Sequence, residues 1–90
     1  MWVLLKDTHA YPGCGVELPE GLPASDRDVL VGFSDGIEAP GRIEAVAGEA
    51  PVLTVAAYRT ARGTRIERKS WRLRQGKDGW TVAARLPAGP

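Results

Sequence analysis

Arginine is the residue type whose placement in this chain points most directly to chemistry, because its planar guanidinium forms paired hydrogen bonds with carboxylates and phosphates. Nine cationic residues fall within residues 51–90, and eight of them lie between Arg59 and Lys77. We expect an arginine-rich binding surface made by Tyr58, Arg59, Arg62, Arg65, Arg68, Arg72 and Arg74. The chemistry that these residues predict is the binding of an anionic group.

Charge is divided unevenly between the two halves of the chain. Residues 1–50 hold three cations and nine anions, and residues 51–90 hold nine cations and two anions. The net charge of +1 is therefore the sum of an acidic half and a basic half. The basic half could face a partner, or it could neighbour the acidic half in the folded domain and form weak cross-strand pairs. In a third arrangement, the acidic face of one copy meets the basic face of another and forms a homo-oligomer.

A protein partner or a second copy of the chain is the expected ligand of the basic half. Nucleic acid is the alternative, since the same arginines could bind phosphates. A sequence pI of about 7.9 is less basic than nucleic-acid-binding modules usually are, and the aromatic residues are expected to be used in the core.

Cys14 and His9 form the single pair that resembles a nucleophile with a base. Acidic Asp7 and Glu17 nearby would disfavour the thiolate that a nucleophile requires, and no third residue that could orient His9 is evident. We therefore expect a non-enzymatic protein in which Cys14 is a partly exposed thiol in a turn. One Cys and one His are too few for a structural zinc site, and no phosphate-binding loop motif is present, so no metal or cofactor is expected.

Length and composition predict one small domain. The chain has 90 residues, of which 43% are apolar and 26% charged, which leaves no room for a second core. Because no apolar run approaches the ~18 residues of a membrane span and the N-terminus lacks signal-peptide features, we expect a cytoplasmic protein with no membrane partner.

Strand-forming runs separated by turn residues recur from residue 28 to residue 86 and predict an antiparallel meander. Asp35-Gly36 marks one tight turn. The stretch 64–73 fits a strand with a bulge near Lys69 better than it fits a helix. The predicted strands are 28–33, 41–47, 52–58, 64–73 and 80–86, with 71–74 facing 80–86 in the last hairpin.

The N-terminal part is harder to interpret. Residues 2–6 could be a first strand or a terminal segment over the core, whereas residues 7–27 hold three Pro and three Gly and predict an irregular segment with at most a short strand at 16–18. The sequence therefore predicts an all-β domain of five to six antiparallel strands with an irregular N-terminal segment. Its size and turn density resemble a small SH3-like or Tudor-like barrel or roll, with an OB-like barrel as the second choice.

Alternation along the last two strands predicts which side chains point outward. Arg72 and Arg74 should project into solvent, on the face opposite Trp71 and Leu73. The last strand should turn one face toward the core, namely that of Trp80, Val82, Ala84 and Leu86. Trp71 and Trp80 should pair across the strands in the core. Alternatively, one of the two lines an open groove, and the arginines beside it form a peptide- or ligand-binding cleft.

Overall fold

The computed structural model describes residues 2–6, 13–45, 48–77 and 79–87, and these ranges contain strands and no helix. The domain is therefore all-β, as predicted. No helix in these ranges is long and apolar enough to cross a bilayer. The nine strands are β1 (Trp2–Leu5), β2 (Gly15–Glu17), β3 (Arg27–Phe33), β4 (Glu38–Glu44), β5 (Val52–Val55), β6 (Tyr58–Arg59), β7 (Arg65–Ile66), β8 (Lys69–Gly76) and β9 (Gly79–Leu86).

Seven of these strands close into one barrel, in the order β1-β2-β9-β8-β5-β4-β3. All neighbouring pairs are antiparallel except β1 and β3, which run parallel with Trp2 opposite Leu30. The prediction of five to six antiparallel strands was thus wrong in number and in orientation. The reason is that β1 and β2, both from the N-terminal part, complete the barrel between β3 and β9.

The N-terminal segment is held down by backbone hydrogen bonds to β9. The amide of Gly13 donates to the carbonyl of Val82, and the amide of Val82 donates to the carbonyl of Cys14. Val16 of β2 is buried opposite Trp80 of β9. The expected short strand therefore exists at 15–17, and residues 18–26 carry no strand, while residues 7–12 lie outside the described ones.

The turn between β3 and β4 forms at the Asp-Gly pair, as predicted. Gly36 has a φ of 89°, a backbone conformation that suits glycine. The amide of Ile37 donates to Oδ1 of Asp35 at 3.1 Å, and the amide of Phe33 donates to the carbonyl of Ile37 at 2.8 Å. This turn fixes the register in which β4 follows β3.

The core fills the interior of the barrel with alternating residues from its strands. It includes Trp71 and Leu73 of β8, with Arg72 and Arg74 exposed between and beyond them, as the alternation predicts. Cys14 belongs to this core and is 1% exposed, so the expectation of a partly exposed thiol was wrong. The buried side chains of this core are Val3, Leu5, Cys14, Val16, Val29, Val31, Phe33, Ala39, Ile43, Leu53, Val55, Trp71, Leu73 and Val82.

The last hairpin, β8 with β9, is present as predicted but contains an unpredicted bulge. Arg72 lies opposite Ala84 and Leu73 opposite Val82, so Ala83 has no residue opposite it. Because a bulge reverses which residues face inward, Ala84 is exposed on the outside rather than turned to the core. Residues 64–73 are extended, as the strand interpretation required. However, the pairing of β5 with β8 shows no register shift at Lys69, where a bulge was predicted, and a break at residues 67–68 separates β7 from β8 instead.

Candidate functional site

The predicted arginine surface is divided between the barrel and a separate two-stranded sheet. β6 and β7 pair only with each other among the described strands, with Tyr58 opposite Ile66 and Arg59 opposite Arg65. We call residues 58–68 the arginine ribbon. It forms because β5 and β6 are separated at residues 56–57 and β7 and β8 at residues 67–68, so the outer part of the hairpin leaves the barrel.

Tyr58 anchors the ribbon to the barrel. Its ring stacks on Phe33, with ring centroids 5.0 Å apart and planes inclined by 25°. Burial raises the pKa of the Tyr58 phenol, and the carboxylate of Asp35 in the β3–β4 turn raises it further. An aromatic pair of this kind contributes about 0.5–1.5 kcal/mol beyond its buried area, so it holds the ribbon near the β3–β4 turn.

Arg59 and Arg65 face each other directly across the ribbon. Like charges at opposite positions of an antiparallel pair repel each other and destabilise the sheet. Each guanidinium has one partner close by: Nη1 of Arg59 donates to the carbonyl of Gly63 at 3.1 Å, and Nε of Arg65 donates to Glu67 at 2.9 Å. An anion placed between the two guanidiniums would relieve the remaining repulsion.

The tip of the ribbon is a compact turn that displays Arg62. The amide of Thr60 donates to the carbonyl of Thr64, and the amide of Gly63 donates to the carbonyl of Thr60, both at 2.9 Å. Arg62 and, after β7, Arg68 are exposed, and neither has a hydrogen-bond or ion-pair partner among the described residues. These two guanidiniums are therefore available to an external anion.

Ion pairs in the described part of the chain join residues of the same half. None connects an acidic residue before position 51 with a basic residue after it. The described residues thus contain no ion pair between the two halves, although Glu49 of the acidic half lines the same groove as Arg72 and Arg74 of the basic half. The pairs are Lys6 with Glu17, Arg42 with Asp26 and Asp28 at 3.7 and 3.5 Å, and Arg65 with Glu67 at 2.9 Å.

Arg72 and Arg74 extend the basic surface along the outside of β8. Nη1 of Arg72 donates to the carbonyl of Ala50 at 3.4 Å, which places its guanidinium over the loop before β5. Arg74 has no such partner among the described residues. Both follow Ser70 on the same outer face, where the Ser70 hydroxyl lies 2.8 Å from that of Thr54.

An open groove of about 360 Å³ lies beside these two arginines, and we call it the Trp80 groove. Its apolar part is formed by Ala50, Pro51, Leu73, Trp80 and Ala83. Its polar lining comes from Arg72, Arg74, Gln75 and Glu49. Trp80 is half-buried and packs against the core on one side. The expected Trp71–Trp80 pair does not form, because Trp71 lies opposite Arg85 and Trp80 opposite Gln75.

A second groove, of about 530 Å³, lies on the β2 side of Trp80. Its lining includes Lys6 and Glu17, which form an ion pair with each other. Because this pair balances its own charge, the second groove offers no net charge from these groups to a ligand. The Trp80 groove is lined by two arginines and one glutamate and therefore offers a net positive charge to a ligand.

The Cys14–His9 hypothesis cannot be followed into the structure as a pair, because His9 lies outside the described residues. Cys14 itself is buried in the core, with Sγ 3.7 Å from the carbonyl oxygen of Gly15. A thiol in this position is shielded from a substrate in solvent. The described residues contain no cluster of three or more His, Cys, Asp or Glu side chains that could hold a metal ion.

No protein-family model matches the chain, and no curated protein and no solved structure is significantly similar to it.

Proposed function

We propose that this chain is a small non-enzymatic binding module that uses the arginine ribbon and the outer face of β8 to bind an acidic segment of a protein partner. The observation that carries the proposal is the exposure of Arg62 and Arg68, which have no partner in the described part of the chain, next to the directly opposed Arg59 and Arg65. Carboxylates suit this site because guanidinium groups bind them through two parallel hydrogen bonds.

Two features favour an acidic protein segment over nucleic acid. The ribbon's one aromatic residue, Tyr58, already has one face of its ring stacked on Phe33, which leaves less aromatic surface for stacking on bases. The barrel also carries an acidic half that would repel a long phosphate backbone but not a short peptide. Nucleic acid stays the second candidate, because a two-stranded ribbon is a shape that some proteins insert into a DNA groove.

The barrel then serves as the scaffold that holds these arginines in place. In this proposal it acts as small SH3-like or Tudor-like barrels do, presenting a binding surface on a rigid framework. Its seven strands and one parallel pair go beyond the meander that the sequence predicted. The acidic partner segment could also belong to a second copy of the chain, whose first half supplies the negative charge.

Fluorescence anisotropy with a labelled glutamate-rich peptide tests the proposal. Replacing both Arg62 and Arg68 with alanine should weaken binding about 2- to 30-fold, because each exposed charge pair contributes about 0.2–1 kcal/mol and 1.4 kcal/mol is tenfold. Arg42→Ala is the matched control, since Arg42 is an exposed arginine already paired with Asp26 and Asp28. It should leave the affinity unchanged.

Salt and competition separate the candidate partners. A duplex oligonucleotide that binds more tightly than the peptide, with an affinity falling steeply as salt rises, would support the nucleic-acid alternative. Sedimentation velocity of the protein alone would reveal a salt-sensitive dimer if a second copy is the partner. Equal loss of peptide binding in Arg42→Ala and in the ribbon variant would contradict the assignment of binding to the ribbon.

A further inference from the structure

We infer that the Trp80 groove binds an apolar side chain of the acidic segment, so that the partner is an acidic peptide with one apolar anchor. The inference rests on the proposed function, because the groove continues the same arginine-bearing face. Its volume of about 360 Å³ lies at the small end of the ~300–1,000 Å³ typical of ligand sites, which suits one or two side chains.

The bulge in the last hairpin creates this groove. Ala83 is the residue of β9 left without an opposite residue, and it is exposed and small. Pro51 lies in the loop just before β5, and the amide of Leu73 donates to its carbonyl at 2.9 Å, which ties this loop to β8. The space above Ala83 is thus bounded by fixed backbone and by the half-buried indole of Trp80.

Charge complementarity selects the ligand class. Arg72 and Arg74 line the groove, and Glu49 is the one acidic residue in its lining. The Arg72 guanidinium is positioned by the carbonyl of Ala50, and a guanidinium bonded in this way keeps further N–H groups for a carboxylate. A ligand that combines an apolar body with neighbouring carboxylates uses both parts of the site, whereas a cationic ligand is repelled.

The direction of β8 sets the spacing within the ligand. The strand runs from Lys69, next to the ribbon, to Arg74, at the groove. Five residue intervals of strand measure about 16 Å at ~3.3 Å each. An extended segment whose acidic residues lie within about five positions of its apolar anchor would contact both places at once.

Two peptides and two variants test the inference by fluorescence anisotropy. The probes are a glutamate-rich peptide carrying one leucine and the same peptide with serine in its place. We expect the wild-type protein to bind the leucine peptide about tenfold or more tightly, from burial of one aliphatic side chain. Ala83→Trp fills the groove and should remove this preference, while the serine peptide keeps its affinity.

Ala84→Trp is the matched control, because Ala84 is the adjacent exposed alanine and does not line the groove. It should preserve the ratio between the two peptides. A change in the tryptophan emission of the wild-type protein on adding the leucine peptide, and not the serine peptide, gives a second readout, because Trp80 lines the groove and Trp2 and Trp71 do not.

The outcomes distinguish the two proposals. Equal affinity for both peptides in the wild-type protein, or a preference that survives in folded Ala83→Trp, would overturn the groove inference and leave the arginine ribbon as the binding site. Failure of both peptides to bind would overturn the proposed function and, with it, the inference. Far-UV circular dichroism establishes that each variant is folded before its affinity is compared.

Discussion

Gly41 occupies a position in β4 where the barrel has no space for a side chain. A Cβ there would lie 2.5 Å from the carbonyl oxygen of Thr54 and 2.9 Å from Cγ2 of Val31. The first contact is with backbone in β5, which is joined to β4 by the pairing of residues 41–44 with residues 52–55. Gly41→Ala therefore requires that two paired strands move apart, and we expect a loss of about 3 kcal/mol, the upper end of the range for overpacking.

Gly32→Ala is the matched control, because it adds the same methyl group to the neighbouring strand. Its Cβ would lie 2.6 Å from Cζ2 of Trp2, which is a side-chain atom. Trp2 is 37% exposed and can rotate into solvent, so the clash is relieved without moving a strand. We expect a cost of about 1 kcal/mol or less.

Thermal and urea unfolding measure both changes. For a domain of this length 1 kcal/mol corresponds to about 4–8 °C, so Gly41→Ala should lower Tm by about 12–24 °C and Gly32→Ala by about 8 °C at most. The urea m-value should stay the same in both variants. Equal stability of Gly41→Ala and the wild-type protein, or a greater loss in Gly32→Ala, would refute the register that places Gly41 opposite Val55.

Two further predictions concern Tyr58 and Cys14. The pKa of Tyr58 is raised in the folded state, so the folded protein keeps its phenol proton at pH values above about 10, where the unfolded chain has lost it. The free energy of unfolding should therefore fall as pH rises above about 10. Tyr58→Phe, which keeps a ring against Phe33, should show a smaller alkaline loss in urea unfolding, and identical slopes would contradict this. Because Cys14 is buried, a thiol reagent should label it only at the rate of unfolding, so rapid labelling of the native protein would show that the thiol is accessible.

Much of the fold could be predicted from local patterns in the sequence. Asp35-Gly36 is a turn signal that acts within a few residues, and the alternation of Trp71 and Leu73 with Arg72 and Arg74 follows from strand geometry alone. The sequence carries no signal for the bulge, because the alanines at positions 83 and 84 fit either face of the sheet. The inward assignment therefore held for Val82 and failed at Ala84, just beyond the bulge.

The sequence indicates which residues make up the candidate site but not how they are arranged in space. Residues 56–57 are both alanine and residues 67–68 are Glu and Arg, so no glycine or proline marks the two breaks that separate the ribbon from the barrel. The closure of the barrel likewise depends on contacts between residues that are far apart in the sequence. The parallel pairing of β1 with β3 is decided by packing across the domain rather than by residues next to either strand.

Closure of the barrel limits the way in which a partner can be recognised. Each of the seven barrel strands in the described part of the chain has a hydrogen-bonded neighbour on both sides, so none of them is an edge strand. The barrel therefore has no edge strand to which a peptide could add as a further strand, which is how many domains bind extended segments without regard to most of their sequence. At the outer face of β8, the proposed ligand would be recognised by its side chains, and the order of its residues, rather than its backbone, would carry the specificity.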